Sequence, residues 1–372
     1  MTQDRVAIIN ALRGAAILAV IYHHVFARFT PPGTGAIEIG GLQLTPLAPL
    51  ANGWLGVSLF FVLSGFVLAL PYERGARNLG SWVDVRAFLM RRAARLLPLY
   101  YLVSLVCFAF LATQNAWTLT NFIHLMAVTF PFSAEAFFPS YNWVLWSIGV
   151  EIGFSLLFPI LLWLRFRIGI AGFLASSLIV SAGFRVFGNQ PQFWGAHPVL
   201  NHVKDNIPGR LDDFVLGMVI AAIFVRVGDW RPSAAQRAGL FALALTALYA
   251  TCHGWDAVQL ERLPRSVIPF LNNIFQLACA TGVLALLFSP SGPIRRLWTN
   301  RALQLLGMMC YSLYVWHGIL IQRIAMDAAG TFTLGRLTAY FMFLLLLSAL
   351  SYRYIEFGAV RETRKLFTPG KD

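Results

Sequence analysis

Charge is scarce in this chain. Only 12% of its 372 residues are Asp, Glu, Lys or Arg, about half the share usual in a soluble domain, which excludes an ordinary water-soluble globule. Cysteine is scarce too. Cys107, Cys252, Cys279 and Cys310 stand far apart with no C-x-x-C spacing, so neither a disulfide scaffold, a metal knuckle nor a thioredoxin-like redox pair is indicated. The seven histidines lack close metal-ligand spacing, and no metal is expected. Walker A and G-x-G-x-x-G sequences are both missing, which argues against a nucleotide-driven pump. Ser64 lacks a G-x-S-x-G elbow and reads as a small packing residue.

What fills the chain is apolar. Hydrophobic residues make up 58% of it and the mean hydropathy is +0.66, arranged in blocks of about 20 residues, the length a helix needs to cross a bilayer. Hydropathy and helix breakers place about ten transmembrane helices, at 6–28, 50–71, 96–113, 143–164, 168–187, 210–227, 238–253, 267–288, 303–326 and 334–356. The fold class expected is therefore all-α, a polytopic helical bundle embedded in lipid. Residues 1–360 form one domain with no repeat or linker, and 361–372 a short basic tail. Arg13 interrupts the first apolar stretch and no small-residue cleavage site follows, so that stretch reads as a retained span. The apolar segment 121–132 is too short to cross and is expected to lie at the interface or re-enter.

Basic residues alternate between loops. Arg74, Arg77, Arg86, Arg91, Arg92 and Arg95 fall in one loop, Arg165 and Arg167 in a second, Arg226, Arg231 and Arg237 in a third, and Arg295, Arg296 and Arg301 in a fourth. The long loops at 31–49 and 113–142 have neither Lys nor Arg. The positive-inside bias puts the first set, and both termini, in the cytoplasm. Arg185, Lys204, Arg262, Arg265 and Arg336 go against the pattern. In a soluble protein a net charge of +13 would raise nucleic-acid binding; here orientation in the bilayer accounts for it and no nucleic-acid partner is expected.

Ionisable residues inside spans are costly and are functional candidates by default. Arg13 and His24 are 11 residues apart, three turns plus about 20°, so both project from one face of the first span about 16 Å apart. The competing reading is a snorkelling arginine and a core histidine. His23 points about 100° away and is the weaker candidate. Glu151, His24 and His317 count to a comparable depth, which would let a carboxylate orient an imidazole as general base; the rival is a structural pair between Glu151 and an arginine of another helix. Arg91, Arg92 and Arg95 form a cationic face suited to phosphates, or simply obey the positive-inside rule.

Together these residues resemble the integral-membrane acyltransferase 3 family. The likeness begins with Leu12-Arg13-Gly14 and Tyr22-His23-His24, an arginine, ten residues and a histidine. It continues in Gly56-Val-Ser-Leu-Phe-Phe61-Val-Leu-Ser-Gly65, in Arg91-Arg92-Ala-Ala-Arg95-Leu-Leu-Pro98 and in Trp146-Ser147 through Glu151. It closes with Tyr311-Ser-Leu-Tyr314-Val-Trp316-His317 and Tyr354-Ile-Glu356. Ser58 stands where an acid is common. The resemblance implies transfer of an acyl group, often acetyl, from acyl-CoA to a hydroxyl of a glycan or glycosylated small molecule. Acyl-CoA would be a co-substrate, with no permanently bound cofactor, and the setting a bacterial inner membrane. On that reading His24 is the base, Glu151 orients it, Arg13 stabilises the oxyanion, Arg91, Arg92 and Arg95 hold phosphates, and Tyr314, His317 and His23 are possible further site residues. The alternative is a secondary transporter using His24 and Glu151 as a proton relay.

Overall fold

In the computed structural model, residues 3–40, 42–112, 119–139, 142–193, 200–228, 230–290, 292–325 and 332–356 are described. The expected tail at 361–372 lies outside them. The architecture is helical, with one small antiparallel hairpin, β1 (Ile37–Ile39) and β2 (Leu42–Leu44). The main helices are α1 (Gln3–Phe26), α2 (Gly56–Glu73), α3 (Trp82–Ala112), α4 (Leu145–Gly188), α5 (Leu211–Val227), α6 (Ala234–Gln259), α7 (Ile268–Leu287), α8 (Arg301–Met308), α9 (Cys310–Leu320) and α10 (Leu334–Ser351). Caps start several of them. Ser233 and Gln236 exchange side-chain and backbone hydrogen bonds ahead of α6, Asn300 accepts from Ala302 and Leu303 at α8, and Thr333 accepts from Arg336 at α10.

Among the described residues seven helices are long and apolar enough to cross a membrane, and eight when the pair Pro293–Met308 and Cys310–Ala325, bent by 58°, counts as one span. The chain is thus a multi-pass membrane protein. The expectation of ten counts two of these segments differently. The spans at 143–164 and 168–187 are two helical arms of one stretch, α4, broken at Gly169, whose φ of 75° suits a residue without Cβ. The span at 210–227 is realised as 17 residues, just under a bilayer's thickness.

Helix α4 folds back on itself. Residues 153 and 181 would be about 42 Å apart along a straight helix. Yet Gly153 packs directly on Ile207 while Ser181 Oγ donates to the carbonyl of Pro208 at 2.8 Å, and these partners are adjacent in sequence. The two arms are therefore antiparallel, with Arg165 and Arg167 near the tip.

Contacts sort the chain into two ends. At one, Arg5 lies 4.9 Å and Arg74 5.7 Å from the ring of Phe224, and Arg165 pairs with Glu73 at 3.1 Å. At the other, Gly33 N–H donates to Asp256 and Thr45 meets His253 at 2.8 Å, so the loop at 31–49 packs on the C-terminal end of α6. Loops rich in arginine gather at the first end. The segment at 121–132 is a short helix (Leu119–Met126) and a turn tucked against α3, with Tyr100 and Tyr101 donating to the carbonyls of Leu125 and Met126 and Phe130 buried on Gly149.

Glycine sets the closest approach between helices. A Cβ on Gly65 would stand in the carbonyl of Phe214, and one on Gly217 in the carbonyl of Val62, so α2 and α5 pack backbone to backbone, as small residues permit in membranes.

Candidate active site

Arg13 comes from the N-terminal half of α1 and lines a cavity of about 90 Å³. Arg92, Arg95, Ser147, Glu151, Tyr311 and Tyr314 are among the residues that line the same cavity. Arg92 Nη2 bonds Glu151 Oε1 at 2.5 Å, and Arg92 Nε donates to Ser155 Oγ at 3.0 Å. Arg95 approaches Glu356 at 3.9 Å. Among the described residues nothing hydrogen-bonds the Arg13 guanidinium and no carboxylate is in ion-pair contact with it. The group holds three guanidinium ions against two carboxylates. One positive charge is left over beside the cavity, the electrostatics of a receptor for an anion or for charge that develops during a reaction.

His24 lies at the other end of the same helix face. Its Nδ1 is 2.9 Å from Nε2 of His317, and its ring stands edge-on to Trp143 with centroids 5.8 Å apart. His317 is fully buried, and its Nδ1 donates to the carbonyl of Tyr314 at 2.5 Å. The Tyr314 hydroxyl accepts from Ser147 Oγ at 2.8 Å. Helix α9 therefore serves both places, with Tyr314 lining the cavity and His317, one turn on, at the imidazole pair. Asn142 Nδ2 donates to the carbonyl of Val315 at 2.9 Å and locks the start of α4 to this turn.

The sequence reading is met in part. His24 and His317 share a level, as the depth count requires. Glu151 does not. His24 contacts Trp143, and Glu151 lies eight residues further along α4, about 12 Å deeper. The carboxylate is held by Arg92, so it cannot orient the imidazole, and the rival reading of a pair with an arginine of another helix is the geometry observed.

The arginine triad divides as well. Arg92 is turned inward to Glu151 and Arg95 reaches Glu356, while Arg91 is exposed and does not line the cavity, so the three do not form one phosphate-facing surface. His23 Nδ1 donates to the carbonyl of Ala51 at 2.7 Å, tying α1 to the turn that leads into α2.

Several residues went unassigned in the sequence. Glu356 has a fully buried side chain that accepts from Ser312 Oγ, and a π-helical turn at Tyr352–Glu356 brings it there. Regular helical periodicity misplaces a residue after such a turn. Two of the basic residues that go against the positive-inside pattern are buried. Arg185 is bidentate to Asp212 at 2.8 and 2.5 Å, and Lys204 lies in a loop beside the pair Arg210–Asp205, 2.5 Å. Burial pushes the Lys204 ammonium below its ordinary pKa, with Asp205 acting against that shift. These charges face protein and not the outer water, so they say nothing against the orientation. Arg210 also donates to Ser58 Oγ at 3.0 Å, which gives the serine at that motif position a partner. No group of three His, Cys, Asp or Glu among the described residues could hold a metal.

Comparison with known proteins decides the family. A model described as an acyltransferase domain matches residues 6–353. The chain belongs to the acyltransferase 3 family. Among its relatives are a Staphylococcus aureus (strain COL) protein described as a putative O-acetyltransferase, 22% identical over 94% of this chain, and the Bacillus subtilis protein YrhL, described as a putative peptidoglycan O-acetyltransferase, 24% identical over 94%. The chain spans about half the length of these two relatives, 56% and 54%. A protein of Acidianus two-tailed virus described as a putative acetyltransferase is 28% identical over 41% of this chain and 40% of its own length. No solved structure matches.

Proposed function

We propose that this family member is an O-acyltransferase of a bacterial inner membrane. It would take an acyl group, acetyl by the names of its relatives, from acyl-CoA on the cytoplasmic side and pass it to a hydroxyl of a glycan or sugar-bearing acceptor on the other. The observation that carries the reading is the division of α1. A cavity-facing arginine without a protein partner stands about 16 Å, on the same helix face, from an imidazole held by a second imidazole. Such a separation serves a donor that enters from one side and an acceptor that waits on the other. On this reading the two arms of α4 and the 17 residues of α5 are separate crossings, ten in all, and the positive-inside bias supports an arginine-rich end that faces the cytoplasm.

In this scheme Arg95, 32% exposed at the cavity, and Arg91 on the surface meet the phosphates of the donor. Arg13 binds the donor deeper in, and Glu151 and Glu356 keep Arg92 and Arg95 in place. His24 takes the proton of the acceptor hydroxyl as its oxygen attacks the thioester carbonyl. The C–O bond forms, the C–S bond breaks, and the imidazolium returns the proton to the departing thiolate.

A proton-coupled transporter is the weaker reading, because the relay it needs between His24 and Glu151 would have to cross about 12 Å and break the pair with Arg92. The test is release of free CoA thiol by purified protein in proteoliposomes given acetyl-CoA and peptidoglycan fragments or other glycans. Thiol release that depends on both substrates supports acyl transfer. Uptake of glycan driven by a pH gradient, with no thiol released, would replace it by transport.

A further inference from the structure

We propose that His317 is a positioning residue that fixes the tautomer of His24, so that Nε2 of His24, and not Nδ1, takes the acceptor's proton. The inference rests on the reading of His24 as the base and adds which of its two nitrogens acts and what selects it. A carbonyl can only accept. Nδ1 of His317 lies 2.5 Å from the backbone oxygen of Tyr314, so Nδ1 carries the hydrogen. In the neutral ring Nε2 then has the lone pair. That nitrogen is 2.9 Å from Nδ1 of His24, so His24 must donate there, and its own lone pair is left on Nε2.

The ring planes support a true N–H···N bond. They are inclined by only 13° with centroids 5.1 Å apart, the separation of two imidazoles meeting nitrogen to nitrogen and not face on face. The anchors of the turn that carries His317 come from outside α1. Tyr314 is anchored through Ser147, the carbonyl of Val315 through Asn142, and Gly318 leaves room for that asparagine. The chain from α4 through α9 to His24 therefore sets a proton's place on α1. Glu151 does not take the role that an acid has beside a catalytic histidine in hydrolases, because it is tied to Arg92 about 12 Å deeper. During transfer, Nε2 binds the hydroxyl proton while Nδ1–H stays on His317, so the positive charge formed is shared by a hydrogen bond that strengthens as it forms. When Nε2 gives the proton to the thiolate the pair returns to its starting state.

The test reads the tautomer directly. Full-length protein with ¹⁵N-labelled histidine in lipid nanodiscs gives a spectrum in which the His24 signals are those that vanish in His24→Gln. The expected result is a protonated Nδ1 and an unprotonated Nε2. His317→Gln keeps an acceptor oxygen near the old Nε2, whereas His317→Met fills the space without one. His317→Gln should keep the tautomer and stay within a few-fold of wild-type turnover. His317→Met should mix the two tautomers and lower kcat about 10- to 100-fold, the worth of one hydrogen bond to a charged group, with KM for acetyl-CoA unchanged. A wild-type His24 protonated on Nε2 would overturn the proposal, as would His317→Met with unchanged tautomer and turnover. Because the spectrum needs no acceptor, a wild type with the expected tautomer but no acetyl transfer would count against the enzymatic reading and not against the assignment of the proton.

Discussion

Replacing Glu151 by Gln should cost stability before it costs chemistry. The carboxylate and Arg92 meet at 2.5 Å with only 13% and 14% of their side chains exposed, and Arg92 has Ser155 as its other polar partner. With an effective dielectric constant near 20, two unit charges about 4 Å apart attract by about 4 kcal/mol, and breaking a buried pair on one side costs about 3–5 kcal/mol because an uncompensated charge remains. The amide of Gln can still accept from Arg92, which puts Glu151→Gln at the low end, about 3 kcal/mol. Arg92→Met should cost a similar amount by stranding the carboxylate. The double variant Arg92→Met with Glu151→Leu removes both charges and should recover most of the loss, so the coupling energy should be about 3 kcal/mol. Unfolding of the purified protein in mixed micelles, titrated with SDS and followed by tryptophan fluorescence, measures all four corners of the cycle. Additive effects, with coupling under about 0.5 kcal/mol, would refute the pairing and reopen the assignment of Glu151 to His24.

Gly217→Ala should destabilise by about 1–3 kcal/mol, since its Cβ would enter the carbonyl of Val62, while Gly239→Ala, which meets nothing, should be neutral in the same titration. The four cysteines are all buried, so a cysteine placed at Gly35 gives a clean topology probe. It should react with a membrane-impermeant maleimide from the outer side of spheroplasts and one at Arg77 only after lysis; the reverse pattern would invert the orientation.

Much of the fold was legible because a bilayer imposes one length on every helix, and hydropathy with helix breakers marks the long apolar segments. The fold-back in α4 was legible as two spans, since Arg165-Phe-Arg167 interrupts the apolar run just before Gly169. Depth along a helix was legible only from its own start. For His24 and His317 the count held; for Glu151 it failed, because Trp143, just ahead of α4, is level with His24 and not above it. The partners of buried charges were not legible at all. Arg185 and Asp212 are 27 residues apart and meet only because α4 returns beside α5. Glu356 depends on a π-helical turn that leaves no periodic trace.

The account stands on the division of labour along α1, with Arg13 serving the donor and His24 the acceptor's proton. Equilibrium binding of acetyl-CoA to purified wild type, Arg13→Ala and His24→Ala tests it most directly. His24→Ala should bind acetyl-CoA as wild type does while its acyl transfer falls about 10²- to 10⁴-fold, and Arg13→Ala should bind at least about tenfold more weakly. Equal loss of acetyl-CoA binding in both variants, or wild-type binding by Arg13→Ala, would contradict it.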